Sequence, residues 1–490
     1  MAARSSALLQ VISGDSCSPL RTIGQGNEQP RALRSLARII DSGLCHRCGT
    51  CIGICPTGVL GRSADEYPAV VNYSACTDCD LCVKTCPGDD FDVKAQQLAL
   101  FGQTTAETDT HGVFQEGVVT YATDPQIRER STSGGQITAM LLDMLQHKEI
   151  DGALVIVSDE KELWKGRPII ARSAEEIRSA MKSKYAISPT NAALAEIREL
   201  PGRYALVGLP CQIHGFRKAA ELDARLKERV VLTFGLFCHA AIEHEGMRTV
   251  FDSLGPIKSR VRRFVSRIGK HPGTPHVELD DGSLVPVYFP KATGYRPSSI
   301  EVINILYRLF TPERCLTCFD ATSEFADIAV GDPWMAPPDK SVNFYQGWSY
   351  SLIRTKAGQE AFNRCVERGA LKSHTLTRRE SLACNSIMST EKRWRAFRVI
   401  ETLKRQGRAV PSYFGFDHRF PRHSGKQFVE TELHMLSHIF CYLPRFRVAV
   451  LRFFLGPVGY WLFYLNSLRR GLRNFVRDSK ERIRRWIWGR

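Results

Sequence analysis

The chain has 490 residues, too many for one ordinary domain, and its 43% hydrophobic and 24% charged residues suit a globular protein with a large core. The net charge is +16, but from Arg445 onward twelve Lys or Arg face only Asp478 and Glu481, so the tail holds +10 of it. The body is therefore only mildly basic, which excludes a body-wide nucleic-acid footprint and any expected nucleic-acid partner.

Residues 1–40 are polar and irregular and are expected to form a flexible leader. The opening MAARSSALLQVISGDS has no convincing signal region. The spacings found among the sixteen cysteines therefore read as metal ligation in a reducing cytoplasm rather than as disulfides.

Residues 41–95 hold eight of these cysteines in an internal repeat. Cys45, Cys48, Cys51 and Cys55 follow C-x2-C-x2-C-x3-C before Pro56, and Cys76, Cys79, Cys82 and Cys86 repeat it before Pro87. Three thiolates at this spacing wrap three corners of a cubane, while the fourth points away. Zinc sites, with four ligands usually in two pairs, fit eight cysteines in two C-P copies poorly. The segment resembles bacterial two-cluster ferredoxins, in which the fourth cysteine ligates the other cluster. That resemblance implies two [4Fe–4S] clusters, one on Cys45, Cys48, Cys51 and Cys86, the other on Cys76, Cys79, Cys82 and Cys55. Gly53, Gly58 and Gly88 are expected in tight turns around the sulfurs.

Residues 96–125 read as a connector. From 126 to 375 helical and strand-like segments alternate, as in an α/β domain. Ile137–His147 is helix-like, and Gly152–Val157, Tyr204–Gly208 and Val230–Phe237 are apolar runs suited to buried strands. Asp281-Gly282 between short apolar segments signals a hairpin. Residues 385–440 read as a polar helical extension. Cys211 and Cys238 end apolar strands, and Cys315 and Cys318 form a CxxC. The residues alone leave several readings open: ligands of a third cluster, buried free thiols, a zinc half-site or a redox dithiol.

The stretches STSGGQITAMLL (131–142), DGALVIV (151–157), SKYAISP (183–189), VGLPCQIHG (207–215), GLFC (235–238), RCLTCFD (314–320), ADIAVGDPW (326–334) and GWSYSLIRT (347–355) occur in an ordered set. As a set they resemble the coenzyme F420 hydrogenase/dehydrogenase beta-subunit family, which is related to 7-hydroxymethyl chlorophyll a reductase. The resemblance implies FAD and at least one [4Fe–4S] cluster, with Cys211, Cys238, Cys315 and Cys318 as ligands of a third. It also implies a flavin site at Ser133, Gly134 and Gly135, before a helix that favours phosphate, and at Ser183, Lys184 and Tyr185. The family commonly has glycine where this chain has Lys182. Asp332 is a candidate for the same site, and His239 a candidate proton donor. Cys17, Cys365, Cys384 and Cys441 read as plain thiols.

The expected fold is an α+β ferredoxin-like two-cluster domain, then a larger α/β flavin and iron–sulfur domain, then a helical C-terminal tail. Residues 441–490 are basic and aromatic. They suit an anionic membrane surface, with a helical extension packed on the body or on a partner subunit as the alternative and nucleic-acid binding least in keeping with a redox core; this would leave the protein cytoplasmic or peripheral at the inner membrane face. The run 448–465 is broken by Arg452 and Gly456-Pro457, so no span is expected. The expected activity is an oxidoreductase passing electrons from a ferredoxin or similar donor through the clusters to FAD and an unidentified organic substrate. The alternative is an electron-transfer subunit feeding a separate catalytic partner.

Overall fold

Strands buried on both faces need uninterrupted apolar runs, and the runs read from the sequence lie at the centre of one sheet. The structure, a computed structural model, describes residues 30–269, 273–287, 299–416, 441, 444–459, 461, 462, 464, 465, 468 and 469. Cys17, Trp486 and Trp488 lie outside the described residues.

In chain order the strands are β1 (Leu60–Arg62), β2 (Pro68–Val70), β3 (Asp90–Asp92), β4 (Glu116–Ala122), β5 (Gly152–Ser158), β6 (Gly166–Ala171), β7 (Tyr204–Gly208), β8 (Val230–Leu236), β9 (Val261–Ile268), β10 (Thr274–Leu279), β11 (Leu284–Pro286), β12 (Ile328–Gly331), β13 (Ser349–Ile353), β14 (Leu371–Leu376) and β15 (Ser412–Phe414). Eight form a mixed sheet in the order β14-β4-β13-β12-β8-β7-β5-β6. The β12-β8-β7-β5 centre is parallel and both flanks are antiparallel. Alternation along β5 and β7 feeds two cores. Ala153, Val155 and Ala205 meet Met140 and Met144 of the Gln136–Gln146 helix. Leu154 and Leu206 share the other core with Ile213, Phe216, Ala396 and Phe397.

The chain divides into two units. One comprises Met1–His244 with Thr311–His438, the other Glu245–Phe310 with Ile439–Arg490. The expected domain over 126–375 is thus interrupted between β8 and β12, a parallel crossover that needs a long connection anyway. The smaller unit has the antiparallel sheet β11-β10-β9, including the expected hairpin. Its Pro444–Leu455 helix is held by Arg447, whose Nε donates to Glu245 Oε2 at 2.6 Å.

Three segments depart from their sequence reading. Residues 31–40, expected to be leader, lie in the Arg31–Asp41 helix, which buries Leu33, Leu36, Ile39 and Ile40. Its N-terminus docks on the second cysteine motif: the Ala32 N–H donates to Asp78 Oδ1 at 2.6 Å, and Arg31 pairs with Asp80. The apparent connector contains β4, an internal strand of the sheet. The 385–440 extension begins with the Ser386–Arg405 helix, which buries Trp394, Ala396, Phe397 and Ile400, and continues into β15, parallel to β3 of the cysteine cassette. A period of two leaves little signal in a three-residue strand, so β15 is illegible in the sequence.

The cassette is built into the body rather than appended to it. Ile54, Phe91 and Val93 belong to the same apolar core as Leu206, Phe319 and Tyr413. Gly53 does not sit in a turn; it lies in the Thr50–Ile54 helix, where a Cβ would run into the Asn191 carbonyl. Asn191 in turn donates from its backbone N–H to Cys48 O at 3.0 Å, and from Nδ2 to Thr50 Oγ1 at 2.9 Å and Gln212 O at 2.7 Å. The buried Arg314 completes the seam. It donates to Gly88 O (3.1 Å), Pro87 O (3.2 Å), Thr317 Oγ1 (3.0 Å) and Tyr413 OH (2.9 Å). Arg314→Met would strand several buried acceptors, at about 3 kcal/mol. Unfolding in denaturant should show that loss, and a stability within about 0.5 kcal/mol of wild type would mean that Arg314 does not hold the seam.

Candidate functional site

Cys211 and Cys238 leave the sheet side by side. Gly208 of β7 pairs with Gly235 of β8, and each cysteine stands three residues beyond its glycine. This is the carboxyl edge of the parallel strands, where open α/β sheets bind ligands. Cys211 lies in the first turn of the Pro210–Leu222 helix. The Cys238 N–H donates to Ala321 O at 2.9 Å, which draws the loop after Cys315 and Cys318 to the same edge. That loop is shaped by the buried Asp320, which accepts from Thr322 N (3.1 Å), Glu324 N (3.0 Å) and His214 Nε2 (2.9 Å). His214 itself stacks on Phe91 at 4.1 Å.

Three groups of thiols result. A cavity is lined by Cys45, Cys48, Cys51 and Cys86, one cysteine coming from the other motif. Burial, with Cys86 next to it, pushes Cys45 up to about 12. Burial and then the Cys55, Cys79 and Cys76 thiols push Cys82 up to about 12, which groups the second set the same way. Burial raises Cys211 well above the ordinary thiol range, and Cys48, Cys315, Cys318 and Cys238 add to it. The groups are contiguous: Cys51 feels Cys82, and Cys211 feels Cys48. Thiols in such company ionise only against positive charge, and a metal deprotonates them outright. The donor set therefore fits iron–sulfur clusters. Backbone N–H groups from Arg47 to Cys45 Sγ (3.3 Å) and from Val59 to Cys55 Sγ (3.4 Å) supply the hydrogen bonds cluster sulfurs use. Among the described residues no three His, Cys, Asp or Glu side chains gather about a single-ion position; around one zinc ion thiolates would all stand at about 2.3 Å.

Cations surround the inner two groups. Arg47 donates to Glu243 Oε1 at 2.6 Å and to Asp65 O at 3.1 Å. Lys218 donates to Cys86 O at 3.1 Å. Lys392 donates to Cys238 O and Asp320 O, both at 2.6 Å. Sequence reading misses Arg47, Asn191, Arg314 and Lys392. Arg314 is adjacent to a CxxC, which is a signal of sorts, but Lys392 sits in a run that looks like a solvated helix face.

The two flavin candidates meet. Ser183 N–H and Oγ donate to Thr132 Oγ1 at 3.1 and 3.3 Å, and Lys182 Nζ donates to Ser131 O at 2.8 Å. Lys182 has φ 71°, the left-handed conformation that explains why glycine suits this position. The Gly134 N–H is taken by Ser349 Oγ at 3.0 Å, and a Cβ there would strike Thr120 O and Ser349 N. Gly135, at φ 79°, starts the Gln136–Gln146 helix. Lys184 donates to Ala180 O and Met181 O, both at 2.8 Å, and burial pulls its ammonium down to about 7. The Tyr185 carbonyl accepts from Ile242 N at 2.9 Å. Beside Ser133, whose carbonyl abuts Gly347, lies an arrangement the sequence does not reveal. Arg128 stacks 3.7 Å over Tyr121 and donates to Gly347 O at 3.0 Å, yet its Nη2 and the Trp348 Nε1 are buried without a hydrogen-bond partner among the described residues. Two orphaned donors next to small residues at a helix start fit an anionic, flat ligand such as a flavin nucleotide.

Of the other candidates, His239 Nε2 lies 3.1 Å from Arg395 Nη1, and the backbone carbonyl of Asp332 accepts from Asn385 Nδ2 at 2.8 Å. Cys365, Cys384 and Cys441 are buried thiols.

Comparison with known proteins identifies the family. Residues 118–195 match the family described as coenzyme F420 hydrogenase/dehydrogenase, beta subunit N-term, and residues 202–379 the corresponding C terminus. Residues 37–87 match a 4Fe-4S dicluster domain. The coenzyme F420-dependent sulfite reductase of Methanocaldococcus jannaschii is 28% identical over 67% of this chain, which spans 47% of that longer protein. One subunit of the F(420)H(2) dehydrogenase of Methanosarcina mazei is 28% identical over 67% of this chain and 84% of its own length. A solved structure of the F420-reducing [NiFe] hydrogenase complex from Methanosarcina barkeri includes a chain 24% identical to this one, with a TM-score of 0.48 over 64% of this chain and 99% of its own. The chain belongs to the coenzyme F420 hydrogenase/dehydrogenase beta-subunit family and carries an N-terminal 4Fe-4S dicluster domain.

Proposed function

We propose that the protein is an iron–sulfur flavoprotein oxidoreductase that takes single electrons at the exposed end of its cysteine relay and delivers pairs to an organic substrate through FAD. The observation that carries this reading is the contiguity of the thiol groups, from exposed Cys79 through Cys82 and Cys51 to Cys48 and Cys211. Cys76, Cys79, Cys82 and Cys55 would hold the outermost [4Fe–4S] cluster, Cys45, Cys48, Cys51 and Cys86 the next, and Cys211, Cys238, Cys315 and Cys318 a third. When bound, the clusters supply one-electron transfer and the flavin converts single electrons to a pair. The protein's share is positioning. Asn191 joins the Cys48 loop to the Cys211 helix, and Arg314 joins Cys86-Pro87-Gly88 to the Cys315–Cys318 loop. Arg128, Trp348 and the 131–135 and 182–185 segments would seat the flavin nucleotide.

The second reading, an electron-transfer subunit serving a separate catalytic partner, draws on relatives whose names describe subunits. Turnover of an organic substrate by the purified single chain would decide for the first.

Anaerobically purified protein should contain about twelve iron atoms, and the Cys211→Ser, Cys238→Ser double variant about eight. Wild type with about eight iron would remove the third cluster, and stoichiometric zinc with little iron would remove all three.

Denatured protein should release FAD. Gly134 is unsuitable as a probe, since any side chain there collides with β4 and β13 whether or not a nucleotide binds. Arg128→Met removes the unpaired donor instead and should weaken flavin retention roughly ten- to hundredfold, the worth of a charged hydrogen bond, while leaving iron content alone. Unchanged flavin retention in this variant and in Lys184→Met would discard the site.

The smaller unit supports a role at an anionic membrane surface. Phe446, Phe453, Trp461, Leu462, Leu465 and Leu468 are all exposed, next to a tail whose sequence is strongly basic. No helix among the described residues is long and apolar enough to cross a membrane. Each Lys or Arg near such a surface contributes about 1 kcal/mol, screened by salt. The full chain should co-sediment with phosphatidylserine vesicles and not with pure phosphatidylcholine, and high salt should release it. Phe453→Ser with Trp461→Ser should cut binding at least tenfold; sedimentation that ignores lipid charge, salt and both substitutions would dismiss the idea.

A further inference from the structure

The Ser386–Arg405 helix reads in the sequence as a solvated face, yet it carries three cations into the interior. Lys392 is 1% exposed, Arg393 0% and Arg395 1%. Buried charge needs an opposite charge nearby or its desolvation is uncompensated. Arg393 has one: it pairs with Glu324 and donates to Glu107 O at 2.9 Å. Lys392 hydrogen-bonds to no carboxylate among the described residues. Its ammonium spends two N–H groups on the carbonyls of Cys238 and Asp320. The nearby Asp320 carboxylate is taken by other donors, the His214 ring and the Thr322 and Glu324 N–H groups. Arg395 reinforces the same edge, donating to the carbonyl of His239, the residue after Cys238, at 3.3 Å.

The outermost thiol group has different surroundings. Cys79 is exposed, Asp78 turns both its backbone N–H and its carboxylate toward Cys76, and the nearby Arg31 is paired with Asp80 at the surface. Water and salt screen that group, whereas a fixed cation in the interior acts at low dielectric.

We infer that the buried cationic face of the Ser386–Arg405 helix, Lys392 foremost, sets the reduction potential of the cluster held by Cys211, Cys238, Cys315 and Cys318 and raises it above that of the outermost cluster. The inference rests on the ligand assignment proposed above. One electron arrives from a one-electron donor, no bond breaks and no proton moves; the net charge becomes more negative by one, and a fixed positive neighbour favours that change. Lys392 is thus a positioning and tuning residue. It gives the cysteine relay an inward gradient, so an electron entering at Cys79 would come to rest near β7 and β8.

The test is a potentiometric titration of the full-length holoprotein followed by electron paramagnetic resonance, with iron measured on each sample. Lys392→Gln keeps a donor for the two carbonyls and removes the charge. One signal should fall by at least tenfold in its reduction equilibrium, about 59 mV for one electron, while the others hold. Lys392→Arg should stay near wild type. If Lys392→Gln loses iron, Arg395→Gln is read instead and should lower the same signal by a smaller step. Full iron with an unmoved potential in the readable variant overturns the inference. A wild type with only about eight iron overturns the ligand assignment and the inference with it, and is distinguishable because no third signal exists to shift.

Discussion

Sulfur gathered in the interior needs positive charge, and much of the larger unit is arranged around that need. Burial first, and then the neighbouring thiols of each group, hold Cys45, Cys51, Cys82 and Cys211 above the ordinary thiol range. Iron would supply most of the balancing charge, and the chain supplies the rest. Arg47, Arg314, Lys218 and Lys392 approach the cysteine segments, several of them through backbone carbonyls of the cysteines or their neighbours. Arg47 and Lys218 also meet the carboxylates of Glu243 and Asp90, whereas Arg314 and Lys392 are held by carbonyl and hydroxyl oxygens, which fix a cation without neutralising it.

The same need explains why the cassette and the body share a core. A cation between two thiol groups can serve both only if the segments carrying them are locked together. Arg314 does this between Pro87-Gly88 and Thr317, with Tyr413 of β15 as its fourth partner. Asn191 does it between Cys48 and Gln212. Gly53 permits the close approach, since the Asn191 carbonyl occupies the place of a side chain. Glycine here serves contact between segments rather than a turn.

A second economy lies at the sheet edge. β7 and β8 are in register at Gly208 and Gly235, and equal steps beyond them deliver two thiols to one place. Parallel strands make this placement simple, because both carboxyl ends open on the same side. The third segment is drawn in by the backbone hydrogen bond from Cys238 N to Ala321 O, and the Asp320 turn then fixes its course.

Local patterning determined a good deal. The C-x2-C-x2-C-x3-C-P repeats, the three apolar runs that form β5, β7 and β8, the 136–146 helix and the Asp281-Gly282 hairpin are legible because each signal lies within a few residues of its own structure. The grouping of Cys86 with the first motif and Cys55 with the second is legible only through likeness to two-cluster ferredoxins. The tertiary structure alone decided what depends on distant segments meeting. The spacing of polar and apolar residues along a helix cannot say that Lys392, Arg393 and Arg395 turn inward, because a buried cation looks like a solvated one until its partner, far along the chain, is known. β15 is too short to show a period, and β4 passes for a connector because its place in the sheet is set by β13 and β14, more than two hundred residues away. Positive φ at Lys182 and the unpaired donors of Arg128 and Trp348 are likewise products of packing. Sequence spacing fixes chemistry along the chain, and only the fold fixes which charges face one another across it.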